Sequence, residues 1–322
     1  MRSEHEEKVL VKDAECAIGL IDAFIGNVAE SANMESISTG FGGLDDYLGG
    51  GLFEGLYCIC AVSSLGKTTF VLQMADSIAA NGTDVMIFSL EMSKYELMAK
   101  SISRSTCLLS MTDGKIDECM AKTVRGITQG SRYKNYSKAE LNTITKAIDD
   151  YKKSAKNVYI CVGVGDISVE HIRQITDKHI QTTGRRPVII VDYLQILASV
   201  RGSERSTDKQ NMDKSIVELK RLSRDKKVPV IAISSMSRHS IKNEGKEEFN
   251  WDNEMTGFKE SGAIEYSADV LMKLKATNDK SEHVRDVSLL ILKNRNGAIT
   301  DKPKFKFYTK YSYFDETVTI RY

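Results

Sequence analysis

Residues Ala61-Val-Ser-Ser-Leu-Gly-Lys-Thr68 follow an apolar run, Leu56 to Cys60, and lead into an amphipathic segment. They fit the pattern GxxxxGK[ST] at every position but the first, where Ala61 stands for glycine. A strand that breaks into a loop of small residues and then opens a helix presents successive backbone N–H groups to phosphate. On that reading Ala61, Ser63, Ser64, Leu65, Gly66 and Thr69 shape a cradle for a nucleoside triphosphate. Lys67 reaches the β and γ oxygens, and the Thr68 hydroxyl ligates Mg²⁺. The competing reading, a Gly-Lys-Thr helix start without a ligand, is weakened by the strand and helix on either side. Two acids close other apolar runs: Glu91 after Val85 to Leu90, and Asp192 after Val188 to Val191. Asp192 would hold the water shell of Mg²⁺, and Glu91 would orient and deprotonate an attacking water. An acid in either place can also serve merely as a helix cap or turn residue.

The elements that must position these residues can be read from periodicity. Val85 to Leu90 and Val188 to Val191 are short continuous apolar runs, the pattern of strands buried on both faces of a parallel sheet. Val158 to Val162 and Val230 to Ser234 repeat it. Helical stripes separate them: Phe70, Val71, Met74 and Ile78; then Ile172, Ile175 and His179; then Met212, Ile216, Leu219 and Leu222. Strands alternating with helices predict an α/β fold, a mostly parallel twisted sheet flanked by helices with its site at the carboxyl edge. Further strands are expected at 268–275 and 287–293. The alternation Phe305, Phe307, Tyr311, Tyr313 predicts a closing antiparallel hairpin. Residues 93–156 read as polar helices with a basic middle, Lys122 to Lys134, taken as solvated surface. Near the N-terminus, Ala14, Ala17, Ile18, Ile21, Phe24, Ile25 and Val28 recur at helical spacing, and Gly19 and Gly26 weaken that helix. Its stripe must pack on the chain's own core or, the favoured reading, on a neighbouring subunit. The expected division is an arm, 1–36, and one large domain, 37–322.

The 322 residues include 45 basic and 44 acidic ones, so no global field draws the chain to a polyanion and any such contact depends on local placement. Six cysteines lack the spacing of a zinc site or a disulfide framework and are expected to be buried thiols of a reducing compartment. No apolar stretch approaches the ~18 residues that cross a bilayer, and no signal peptide is visible, so a cytoplasmic protein is expected.

Six motifs together resemble the RecA-like motor domain of DnaB-type replicative DNA helicases, over residues 37–300. They are Ser38-Thr-Gly-Phe-Gly-Gly-Leu-Asp45, Ser64-Leu-Gly-Lys-Thr68, Phe88-Ser-Leu-Glu-Met-Ser93, Val191-Asp-Tyr-Leu-Gln195, Lys259-Glu-Ser-Gly-Ala-Ile-Glu265 and Lys293-Asn-Arg-Asn-Gly297. The resemblance implies a RecA-like P-loop NTPase that uses ATP and Mg²⁺, with Lys67 and Thr68 at the phosphates, Glu91 as catalytic base and Asp192 as the Mg²⁺ acid. It implies that Lys293 and Arg295 reach the γ-phosphate of an adjacent subunit in a ring, a hexamer in this family. Lys259, Glu260 and Gly262 would line a central channel and hold single-stranded DNA, though the same stretch also reads as an exposed charged turn. The chain resembles a short form without the N-terminal collar domain, such as a phage or mobile element carries, which leaves primase and loader contacts open. At the γ-phosphate sensor position the family has Gln, and this chain has Ser235. The function implied is ATP-dependent translocation or unwinding on single-stranded DNA in replication. The alternative is a RecA-superfamily ATPase or nucleotide-regulated DNA-binding module that does not unwind processively.

Overall fold

A computed structural model describes residues 16–31, 36–163, 167–197, 207–235, 251–255, 262–277 and 283–317. The chain divides into two compact units, Met1–Ser36 and Ile37–Tyr322. In the first, a 3-10 turn (Ala17–Leu20) precedes helix α1 (Ile21–Ser31). The helix expected from periodicity is thus present without a gap, its first turn, around Gly19, wound as 3-10. Ile18, Ile21, Phe24 and Ile25 are exposed.

The second unit runs α2 (Gly42–Tyr47), β1 (Gly55–Ala61), α3 (Lys67–Ala80), β2 (Val85–Ser89) and α4 (Lys94–Leu109). A small hairpin follows, β3 (Met111–Thr112) and β4 (Lys115–Ile116), then α5 (Val124–Thr128), α6 (Lys138–Ala155) and β5 (Val158–Val162). Next come α7 (Val169–Thr183), β6 (Val188–Asp192), α8 (Asp208–Lys226), β7 (Pro229–Ser235), α9 (Trp251–Met255) and α10 (Gly262–Ser267). The chain closes with β8 (Val270–Ala276), β9 (Val284–Asn294), β10 (Lys304–Tyr308) and β11 (Tyr313–Thr317).

Nine strands form one sheet in the order β11-β10-β9-β8-β1-β7-β6-β2-β5. From β8 to β5 every neighbour is parallel, whereas β8–β9, β9–β10 and β10–β11 are antiparallel. The expected mostly parallel sheet and its closing hairpin are both present. Because strand side chains alternate, β1 splits between two cores: Tyr57, Ile59 and Ala61 join Phe70, Met74 and Ile78 on one face. Leu56, Cys58 and Cys60 join Ile172, Ile216 and Leu219 on the other. α3 therefore covers one face, and α7 and α8 the opposite one.

The hairpin β10–β11 does more than close the sheet. Phe305 and Phe314 meet Phe70 edge-on, with ring centroids 5.2 Å away in each case, and Phe41 stacks on Phe70 at 4.9 Å. The Gln73 amide donates to the Phe314 carbonyl (2.7 Å) and accepts from its N–H (2.9 Å), tying α3 to β11.

Two expectations need correction. The basic middle of 93–156 is not all solvated: Lys122 is buried, donates to Glu140 at 2.6 Å and lies 4.6 Å from the centre of the Tyr136 ring. Hydroxyls and carbonyls of α4 and its neighbours satisfy that region, for example Ser103 Oγ on the Lys122 carbonyl (2.6 Å), which periodicity does not reveal. The cysteines are not uniformly buried either, since Cys16 and Cys119 are exposed and Cys161 is half-buried. Among the described residues no helix is long and apolar enough to cross a membrane.

Candidate nucleotide and nucleic-acid site

Four strand ends meet at the carboxyl edge of the parallel sheet. In register, Ala61 pairs with Ser235, and Asp192 pairs with both Ile233 and Ser89. With neighbouring strands ~4.8 Å apart, β1, β7, β6 and β2 set their last residues along one short line. The phosphate loop leaves the first of them, and the bend carrying Glu91 leaves the last. The Leu90 N–H donates to the Asp192 carbonyl at 2.7 Å, which fixes that bend beside β6.

The loop turns into α3 at Gly66, whose φ of 90° is one that only glycine adopts freely. A Cβ there would also lie 2.7 Å from the Phe307 ring. α4, α6, α7 and α8 each begin with a capping box, but α3 has no side-chain cap, so its first N–H groups face the loop. Arg285 donates to the Ser64 carbonyl at 3.0 Å and bridges β9 to the loop.

Lys67 donates to the Ala61 carbonyl at 3.1 Å. Burial lowers its pKa, while the charges of Asp192 and Glu91 work in the opposite direction, so all three side chains lie in one field. Asp192 is 2% exposed, and neither of its carboxylate oxygens has a hydrogen-bond partner. Burial pushes its pKa up to about 6, and Glu91 adds to the rise. The nearby Thr68 hydroxyl and the charges of Lys67 and Lys100 pull the other way. A buried carboxylate left unpaired is costly, and a divalent cation held with the Thr68 hydroxyl supplies what is missing. The residues present therefore fit Mg²⁺ and a triphosphate.

Lys100 is a site residue that the sequence motifs do not mark. It projects from α4, donates to Thr69 Oγ1 at 3.2 Å and is half-buried, and desolvation lowers its pKa, with Arg104 adding to the effect. The available signal is the spacing Glu96, Lys100, Arg104 on one helical face beside the buried Leu97. Gln195 enters the sequence reading only as the end of a motif. Its amide donates to Ser234 Oγ (3.0 Å) and the Ser235 carbonyl (3.3 Å) and accepts from the Ser235 N–H (3.3 Å). Ser235 is the last residue of β7 rather than the first beyond it.

Lys293 and Arg295 lie elsewhere. β9 runs antiparallel to β8, so Lys293 pairs with Leu271, itself level with Cys58 in the middle of β1, and Arg295 follows two residues on, its N–H on the Asp269 carbonyl while the Asp269 N–H donates to the Leu56 carbonyl near the start of β1. Along the strand direction Lys293 is thus set back from the phosphate loop by ~10 Å and Arg295 by ~16 Å, at ~3.3 Å per residue. There Lys293 Nζ donates to the Glu265 carbonyl at 2.5 Å, and Arg295 donates to the Tyr266 carbonyl at 3.0 Å and to Asp269 at 3.3 Å. Asp269 also accepts from the Leu56 N–H (2.7 Å) and from Lys220. Gly262 opens α10 and is exposed, while Lys259 and Glu260 lie outside the described residues.

The family model described as DnaB-like helicase C terminal domain matches residues 36–316. The chain belongs to this family. It is 28% identical over 312 residues to the replicative DNA helicase DnaB of Haemophilus influenzae, covering 95% of this chain and 60% of that protein. It is 31% identical over 273 residues to the replicative DNA helicase DnaC of Bacillus subtilis, covering 83% and 54%. The chain thus spans little more than half the length of these relatives. Among solved structures, the ATPase domain of G40P superposes with a TM-score of 0.74 at 24% identity, covering 94% of this chain and 98% of that one. A DnaB-like replicative helicase, described with its interactions with primase, gives 0.73 at 23%, covering 94% and 67%. Both share the fold of this chain. The six motifs fall inside the matched region, and the strand ends that carry Ala61, Glu91 and Asp192 are those of the DnaB-like domain.

Proposed function

We propose that this chain hydrolyses ATP with Mg²⁺ and uses the cycle to move along single-stranded DNA in replication, as a ring of like subunits in the cytoplasm. The supporting observation is the separation of the charged set along one sheet. Lys67, Thr68, Glu91 and Asp192 gather at the carboxyl edge, whereas Lys293 is level with Cys58 in mid-sheet and Arg295 with Leu56 near the other edge. A guanidinium set back ~16 Å from its own phosphate loop cannot serve it, whereas the next subunit of a ring can bring that loop to it. Bound Mg²⁺ would neutralise charge on the β and γ phosphates. Lys67 holds the same oxygens, Glu91 orients and deprotonates the attacking water, and Lys293 and Arg295 from the neighbour stabilise the transition state. The exposed stripe of α1 supports packing on a neighbour, and a primase or a loader is a further candidate partner. Lys259, with the backbone near Gly262, would hold DNA phosphates without reading sequence.

Mixing tests the shared site. Lys67→Ala and Arg295→Ala chains should each lose turnover, by ~10³-fold for the arginine, and equimolar mixtures should recover part of it through sites made of one intact half from each. Mixed oligomers of confirmed mass without any recovery would refute the reading. A second reading, a nucleotide-regulated DNA-binding module that unwinds poorly, is favoured by one observation. At the end of β7 the chain presents Ser235, whose backbone is already engaged by Gln195.

A further inference from the structure

Between β7 and α10 the described residues are those of α9, Trp251–Met255. A helix of one turn has no stability of its own, so its place is set by what grips it. Trp251 and Met255 pack against the core face that holds Leu271 and Leu290. Glu254, between them, is 6% exposed and forked: Oε2 accepts from Lys273 Nζ at 2.7 Å, and Oε1 accepts from Lys275. Lys273 is itself 2% exposed, in the middle of β8, with Cys60 of β1 and Leu290 of β9 as register partners. An apolar side chain would fill such a position without desolvating an ammonium, and a buried ion pair gives little net stability. What the pair does supply is direction, because Glu254 meets its partners only when α9 is seated in one place.

Two functional segments adjoin that place. Cys60 is the residue before Ala61, where the phosphate loop begins. Met255 leads through residues 256–261 to α10, whose final carbonyls hold Lys293 and Arg295. Burial raises the pKa of Glu254, but Lys273 and Lys275 more than offset it and hold the carboxyl below its usual range, so the pair stays charged at neutral pH.

We propose that Glu254, Lys273 and Lys275 form a buried anchor of positioning residues that fixes the root of the nucleic-acid-binding segment to the strand beside the phosphate loop. The anchor couples nucleic-acid binding to ATP turnover. It rests on the reading above that the chain is an ATPase driven by single-stranded DNA, and it adds residues that touch neither ligand.

The test uses the full chain in three forms: natural, Glu254→Gln, and the double variant Glu254→Met with Lys273→Met. The double variant removes both members of the buried pair together and should melt near the natural temperature, since Lys275 is partly exposed. ATP turnover is measured with and without oligo-dT. Both variants should keep the DNA-free rate and the KM for ATP within about twofold and lose more than about half of the stimulation that DNA gives the natural chain. A stably folded double variant with natural stimulation overturns the anchor. A second measurement needs no DNA: tryptic cleavage within 236–261, which contains Arg238, Lys242, Lys246 and Lys259, with and without a non-hydrolysable ATP analogue. The natural chain should change its cleavage rate there at least ~3-fold, and the variants should change little. An equal change in natural and variant chains, or none in the natural chain, also overturns the anchor. A change in the natural chain alone, without stimulation by DNA, supports the anchor and sinks the nucleic-acid reading instead.

Discussion

Asp192 is the residue at which burial, charge and chemistry meet most closely. Its pKa is raised to about 6, so below pH ~4 it is neutral in both folded and unfolded chains, and above ~6 it is charged in both. In between, the unfolded chain loses its proton first, and the folded chain loses stability as pH rises. Without nucleotide or metal, the unfolding free energy of Asp192→Asn relative to the natural chain should shift in the variant's favour by about 2–3 kcal/mol between pH 4 and 7. Urea denaturation across that range checks it; a difference independent of pH would mean the carboxyl is not desolvated as described. The same substitution should abolish turnover dependent on Mg²⁺. Ser235 poses a different question at this scale. A glutamine there could donate to a γ-phosphate, while serine would need a bridging water. Ser235→Gln should therefore raise DNA stimulation of turnover severalfold, a hydrogen bond to a charged group being worth ~1.5–3 kcal/mol, and leave the basal rate alone. Strong stimulation and efficient fork unwinding by the natural chain would show that sensing lies elsewhere, with Arg238 next in sequence and Gln195 next in space.

At the scale of elements, the phosphate loop depends on a hairpin that follows it by more than two hundred residues. Gly66 must adopt φ 90° and also make room for Phe307, which stacks on Phe314 at 4.1 Å. Gly66→Ala should cost ~1–2 kcal/mol from the backbone alone and more from the contact, measured without nucleotide so that binding does not enter. Phe307→Ala in the same chain should return part of the second component, giving a coupling of at least ~0.5 kcal/mol in the double-mutant cycle. Strict additivity would separate the loop from the hairpin. The pattern GxxxxGK[ST] gave the glycine a role toward phosphate but said nothing of the ring beneath it, because that contact spans the length of the domain. Residues 93–156 show the same limit. They read only as polar helices with a basic middle, while the burial of Lys122 against Glu140 and Tyr136, and the turn of Lys100 toward Thr69, depend on how α4 and α6 pack.

The whole molecule balances its charges globally, so any grip on DNA must be local and repeated by subunits. If each subunit of a ring uses Lys259 on one phosphate, Lys259→Ala should lower the slope of log affinity against log salt by ~0.7 for every phosphate that is no longer neutralised. Titration of oligo-dT at several salt concentrations measures it. An unchanged slope would place the DNA-binding groups elsewhere, with Arg201 to Arg205 the next basic stretch.

Residue type and spacing were enough for the fold class and the composition of the phosphate site. Parallel strands buried on both faces must be continuous apolar runs, and a phosphate loop must be small residues between a strand and a helix. Those constraints are local, so Ala61 to Thr68, Glu91 and Asp192 could be named from spacing alone, and six motifs in order named the family. Where each of them lies relative to the others is a matter of tertiary structure. That Asp192 is buried at the end of β6, that Lys293 and Arg295 are set back along the sheet from their own loop, and that Lys273 is buried on Glu254 all follow from strand order and register. Register pairs residues far apart in the chain, and periodicity in one segment carries no information about which distant segment will lie against it.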